Sequence, residues 1–282
     1  MTPTWTRVSK AKPCPVCKHS DWCGVSADGI LAICMRVESA RTSRNGGWVH
    51  RLRDTPPAYR PPPVIHRPAP APTFDLMLAK WQAATTPEAV QRLAGLLGVE
   101  PDSLDALGVA WAPSYSAWAF PMLDADGEIS GIRLRSEAGE KWAVRGSHEG
   151  LFYTEARLPD ALAWICEGPT DTAAALTLGL WAIGRPSCTG AVRMVRDLLA
   201  RLRIRRAIIV ADVDDPKRRP SGGHWRPGAE GAARLGPALG VPFKIIFPPR
   251  KDLREWVKCK PSKSEIETIA AAFPWQGVGY GR

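Results

Sequence analysis

The run RRAIIVADVDDPKRRP, residues 205–220, sets a chemical problem: an apolar stretch from Ala207 to Ala211 ends in three carboxylates, Asp212, Asp214 and Asp215. Like charges crowded at the mouth of a core raise the pKa of at least one member unless they share a cation. Asp212 and Asp214 stand two apart at the predicted strand's end, which puts their side chains on one face. Asp215, just ahead of Pro216, reads as a turn residue. A second acidic turn, WICEGPTD, has the same layout: Glu167 ends a strand, Gly168 allows the turn, Pro169 opens a helix and Asp171 falls in its first turn. Acids favour helix N-termini for dipole reasons alone, so Asp171 is a secondary candidate. If both strands belong to one parallel sheet, Glu167, Asp212 and Asp214 converge at the carboxyl edge, where such sheets bind ligands. Hard oxygen donors with room left for water and phosphate describe Mg²⁺ or Mn²⁺.

A second constellation lies near the N-terminus. CPVCKHSDWCGVSADGILAIC holds Cys14, Cys17, Cys23 and Cys34, four of the seven cysteines. The first pair is a CxxC knuckle, two thiolates able to meet one zinc ion at about 2.3 Å, and the other two lie within a hairpin's reach. His19 is an alternative to Cys23 as fourth ligand. Four protein ligands leave no open coordination position, so such a zinc is structural. The same segment is basic: residues 1–53 hold nine Lys/Arg against three Asp/Glu, part of a whole-chain charge of +10. That surplus suits a polyanion. Trp5, Trp22 and Trp48, interspersed among the cations, either stack on unpaired bases or form the module's small core.

The elements that must position these residues follow from composition and periodicity. A chain of 282 residues with 45% hydrophobic and 23% charged content has the make-up of a folded globular protein. No run is long and apolar enough to cross a membrane, and the N-terminus lacks a signal-peptide core. Residues 54–73, DTPPAYRPPPVIHRPAPAPT, read as an extended proline-rich linker between a 1–53 module and the rest. Residues 74–98 carry two helical patterns, the second starting after Thr86, and AWAFPMLDADGEISGIRLRS alternates around a turn as a hairpin. From residue 160 onward strand and helix alternate, which builds a mostly parallel sheet. The expected class is therefore a multidomain α+β protein: a small zinc-ribbon-like β module, the linker, a mixed α/β subdomain over 74–158, an α/β domain over 159–258 and a C-terminal tail over 259–282.

ICEGPTDTAAAL followed by IIVADVDD resembles the TOPRIM domain of bacterial-type primases, topoisomerases and some nucleases. FPMLDADGEISGIRLRSEAGEKWAVRGSHEGLFY, residues 120–153, is similar to the segment preceding TOPRIM in bacterial and phage primases, and PPRKDLREWV, residues 248–257, resembles their KDxxE tail. The insert PKRRPSGGHWRPG is longer than the family's usual turn, and the cysteines depart from its two-knuckle spacing. The resemblance implies a DNA primase that makes short RNA primers on single-stranded DNA from nucleoside triphosphates, with a structural zinc and a catalytic Mg²⁺ or Mn²⁺. By it, Asp212 and Asp214 hold metal, Glu167 either completes that site or takes a proton, and Arg133, Arg135 and Lys141 grip template or nucleotide. Lys251 and Asp252 flank the metal, while Arg218, Arg219 and Arg226 of the insert are candidate phosphate contacts. It further implies a cytoplasmic, nucleoid-associated protein of a bacterium or phage-infected host, with any replicative helicase supplied in trans. Two alternatives stay open on the residues: a non-catalytic replication accessory that binds single strands, and a TOPRIM nuclease. A topoisomerase needs a nucleophilic tyrosine on a DNA-binding domain for which the chain has no room.

Overall fold

The structure, a computed structural model, describes residues 4–43, 46–53, 74–155, 161–218 and 223–277. The chain divides into two units, Met1–Ala69 and Pro70–Arg282. The expected linker, residues 54–73, lies outside the described residues, as does Arg219.

The first unit is an antiparallel sheet of β1 (Trp5–Arg7), β2 (Gly24–Ser26), β3 (Leu31–Cys34) and β4 (Trp48–Arg51), in that spatial order. Strands of three or four residues cannot enclose an ordinary apolar core. The interior is built around sulfur instead: Cys14, Cys23 and Cys34 are buried, and Val8, Val16, Met35 and Val37 pack against them. Trp5 and Trp48 are half-buried, and Trp22 is 44% exposed.

The second unit opens with α1 (Phe74–Ala84), α2 (Pro87–Leu97) and α3 (Pro101–Ala106). The start and stop of α2 follow its residue types. The Thr86 side chain accepts the Ala89 N–H, Pro87 occupies the first position, and Gly98 closes the helix in the left-handed region at φ 73°. Next come β5 (Ala110–Ala112), β6 (Ala117–Leu123), β7 (Ile129–Arg135) and β8 (Lys141–Ala143), an antiparallel sheet in chain order. The pleat of β6 divides its side chains between two cores. Ala117 and Ala119 meet Leu78 and Trp81 of α1, while Trp118, Phe120 and Met122 enter the core under the parallel sheet.

That sheet is formed by β9 (Leu162–Glu167), β10 (Ala182–Arg185), β11 (Arg206–Val210) and β14 (Phe243–Ile246), all parallel, in the order β10-β9-β11-β14. Both faces are covered, which is why its strands are apolar throughout. On one side Trp164, Cys166, Ile208 and Val210 pack on α4 (Gly168–Thr177) together with residues of α2, α7 (Leu253–Val257) and α8 (Lys263–Ala271). On the other, Ala163, Ile165, Ala207 and Ile209 pack on α5 (Val192–Arg201) and α6 (Pro227–Leu235). The segment after β8 stitches the two sheets together. Leu151 bridges Leu123, and Phe152 and Gly184 exchange two backbone bonds at 2.9 and 2.7 Å.

Two stretches differ from the sequence reading. The insert after Asp215 forms a hairpin of β12 (Lys217–Arg218) and β13 (His224–Trp225). The expected tail contains α8, started by a Ser262/Glu265 capping box and buried through Ile266 and Ala270. Lys244 Nζ donates to the Ala270 carbonyl at 2.9 Å, and Gln276 pairs with Phe243 at the start of β14. No helix among the described residues is long and apolar enough to cross a membrane.

Because Ile266 is fully buried, Ile266→Ala should cost about 2–4 kcal/mol. Urea denaturation would read this as a lower midpoint with an unchanged slope; a midpoint equal to wild type would show that α8 is not part of the core.

Candidate active site and metal centre

Glu167 is the last residue of β9 and Gly168 the first of α4. Gly168 has φ +79°, a region L side chains rarely adopt, so the strand can turn into the helix immediately beyond the carboxylate. The register aligns Ile209 of β11 with Ile165 of β9, so both strands end at one edge. The strand stops at Val210, earlier than expected, and Asp212 and Asp214 therefore lie beyond it rather than on a pleated face. They are held by the backbone instead. Ala211 N–H donates to the Ile246 carbonyl at 2.9 Å and Val213 N–H to the Lys251 carbonyl at 2.7 Å. The Asp214 carboxylate accepts the Gly228 N–H, 2.8 Å away at the start of α6. A Cβ on Gly228 would collide with the backbone of Asp212, so only glycine lets α6 come this close.

A small cleft opens at this edge, lined by Glu167, Arg185, Cys188, Asp212 and Gly228 over a floor of Cys166 and Ala211. Burial pushes the Asp212 carboxyl up to about 9, helped by repulsion from Glu167, Asp171, Asp252 and Asp214. Glu167 is also pushed up, by burial and then by Asp214, while Arg185, Lys141 and the Cys188 N–H pull it back. Arg185 ends β10 directly opposite Glu167 in the ladder and donates from Nε and Nη2 to the Gly190 carbonyl at 3.1 and 2.9 Å. Only 4% of its surface is exposed.

A second group adjoins the first. Asp171 is 5% exposed, accepts the Arg254 N–H at 2.8 Å and is pushed up to about 7 by burial and by Asp252. Asp252 caps α7 by accepting the Glu255 N–H at 2.7 Å. Across from these acids, Arg135 of β7 pairs with Lys141 of β8, and Arg133 lies two residues along β7 on the same face. Desolvation pushes Lys141 and Arg135 down; Arg135 and Arg254 respectively add repulsion, and Asp171 opposes it in both. Glu167, Asp212, Asp214, Asp171, Asp252, Arg135 and Lys141 thus share one electrostatic neighbourhood. Lys251 reaches it through its carbonyl.

Sequence reasoning missed Arg185, Arg254, Cys188 and Gly228. An arginine ending an otherwise buried strand was the one available signal for Arg185. Gly228 and Arg254 depend on close approaches between distant segments that no local pattern reports.

In the first unit, ligand atoms of Cys14, Cys17, Cys23 and Cys34 all lie within 4.8 Å of one another. Cys17 and Cys23 Sγ are 3.6 Å apart, close to the roughly 3.8 Å edge of a tetrahedron with zinc–sulfur bonds of about 2.3 Å. Backbone N–H groups of Met35 and Val37 point at Cys23 and Cys34 Sγ at 3.4 and 3.3 Å, as thiolates bound to a cation require. His19 stays outside the group, exposed, with its carbonyl accepting the Cys14 N–H at 2.8 Å. Among the described residues this is the one such ligand group; the carboxylates are spread more widely. An open arrangement suits a cation that keeps water and substrate phosphates as ligands.

No protein-family model matches the chain, and no curated protein matches it by sequence. Solved structures do match it by shape. The zinc-binding and RNA polymerase domains of Aquifex aeolicus primase align at TM-score 0.56 and 15% identity, over 72% of this chain and 60% of that one. The E. coli primase catalytic core aligns at TM-score 0.54 and 15% identity, over 72% and 80%. The fold is shared with bacterial primase catalytic cores. A DnaG primase catalytic domain bound to single-stranded DNA aligns at TM-score 0.53 and 15% identity, over 71% and 77%.

Asp212 has an ordinary pKa of 3.8 and a folded value of about 9. Between those values the folded state holds the extra proton, so stability falls as pH rises through that window. Asp212→Asn removes this loss. In magnesium-free buffer at pH 8 the variant should melt at a higher temperature than wild type, with the difference shrinking toward pH 4. A variant that melts lower at pH 8 would mean the carboxylate is not under electrostatic stress.

Proposed function

We propose that the chain is a primase, joining ribonucleotides into short primers on single-stranded DNA by metal-dependent nucleotidyl transfer. The observation that carries this reading is the meeting of Glu167, Asp212 and Asp214 at the carboxyl edge of the parallel sheet, within a fold shared with primase catalytic cores. Asp212 and Asp214 hold the catalytic Mg²⁺ or Mn²⁺. A cation held there would supply charge neutralisation for the triphosphate and for the attacking 3′-oxygen. Glu167 accepts the proton of that hydroxyl, and the charge of Arg185 favours its ionised form against the opposing effect of burial. Arg133, Arg135 and Lys141 face the acids and take the phosphates of template or incoming nucleotide. Lys251 and Asp252 flank the metal. The four-cysteine unit holds a structural zinc, and its basic surface reads the template. The reaction's partners are single-stranded DNA, nucleoside triphosphates and, by the resemblance, a replicative helicase in trans.

Two measurements test this. With a single-stranded template, labelled nucleoside triphosphates and Mg²⁺ or Mn²⁺, wild type should make short oligomers, and Asp212→Asn/Asp214→Asn should lose at least about 100-fold, the scale of removing a principal electrostatic stabiliser. Strand binding without synthesis would move the assignment to a non-catalytic accessory; template cleavage would move it to a nuclease. Elemental analysis should find about one zinc per chain, lost in Cys14→Ser/Cys34→Ser. Zinc retained in that variant would place the ion elsewhere.

A further inference from the structure

The hairpin of β12 and β13 has no evident purpose in the core. Two residues per strand, paired Lys217 to Trp225 and Arg218 to His224, make a ladder that is marginal by itself. Its foot is nevertheless fixed in the cleft wall. Asp214, which precedes it, accepts the N–H of Gly228, which follows it. The hairpin therefore springs from the loop that carries Asp212 and Asp214.

Its chemistry is cationic. Lys217, Arg218, His224 and Arg226 are exposed and Trp225 is half-buried. Among the described residues, Lys217, Arg218 and Arg226 enter no ion pair, as is also true of exposed arginines elsewhere such as Arg92 and Arg193. Arg196 does pair, with Asp197 at 2.9 Å. Asp215, exposed at the foot, pairs with none of them. Gly228, whose N–H holds Asp214 at the hairpin's foot, lines the cleft, so the hairpin rises from the cleft wall. Successive strand residues face opposite sides, so Lys217 and Arg218 do not converge on one small anion. An extended, flexible polyanion that rounds the edge of the hairpin can meet both.

We propose that the β12–β13 hairpin is an arm that grips the sugar–phosphate backbone of a single nucleic-acid strand entering the carboxylate cleft. That the strand is a primase template rests on the proposed function; that the arm binds a strand does not.

The test uses the full chain and a fluorescein-labelled single-stranded oligodeoxynucleotide, with anisotropy titrations over a series of KCl concentrations. Lys217→Ala/Arg218→Ala should weaken binding about tenfold at low salt. It should also flatten the slope of log affinity against log salt by about 1.4, since each single-strand phosphate contact contributes about 0.7. Arg196→Ala, a paired cation on α5, should match wild type in both. An unchanged slope and affinity in the double variant overturns the arm, as does a wild type that binds no strand. Synthesis is scored separately. Failure of wild type to synthesise, with binding still weakened in the double variant, keeps the arm and removes the primase reading. Normal synthesis with strand binding indifferent to the double variant does the reverse.

Discussion

Everything at the carboxyl edge of the parallel sheet answers to one unfavourable interaction, the burial of several like charges against an apolar floor. Asp212 is desolvated and repelled by four other acids, which lifts it to about 9. A stable fold tolerates such a group only where neighbouring elements enforce it or a cation relieves it. Here the enforcement comes from the main chain. Past the end of β11 the chain stays bonded to β14 and the segment after it, through Ala211 to Ile246 and Val213 to Lys251. The N-terminus of α6 holds Asp214, and α7 holds Asp171. Three elements far apart in sequence thus fix the acids without any side chain neutralising them all.

The cations are arranged to complement that edge and leave it open. Arg185 sits in the ladder beside Glu167 and spends its donors on Gly190, steadying one acid and the loop above it. Arg135 and Lys141 come from the antiparallel sheet, which is registered against the parallel one through Phe152 and Gly184. A displacement of that stitch would separate the basic face from the acidic edge, so the backbone exchange at Gly184 is as much part of the site as any charged residue. A Cβ at Gly184 would run into Thr172 and the Gly168 carbonyl, which ties the stitch to the turn after Glu167.

Much of this was legible in the sequence because it is local. Apolar runs of five or six residues ending in acid or glycine mark β9 and β11, and the alternation around Asp124–Gly127 marks the β6–β7 hairpin. Periodicity could not show where β11 stops: Ala211 to Val213 remain hydrogen-bonded to the neighbouring segment although the strand has ended. Helix α8 was missed because a nine-residue helix with only Ile266 and Ala270 buried carries a faint pattern. Asp171 read as a dipole-favoured acid in a helix's first turn and a secondary candidate; it is buried, with α7 folded back over it. The grouping of four thiols without His19 depends on how β2 and β3 turn the chain, which spacing alone left open.

The pairing of Gln276 with Phe243 has a practical corollary. Phe243 begins β14, and β14 runs from there toward the acidic edge. The backbone at Gln276 therefore lies on the rim of the sheet opposite the cleft. A fusion partner or surface anchor joined beyond that point would attach to this unit on the side of the sheet opposite the carboxylates.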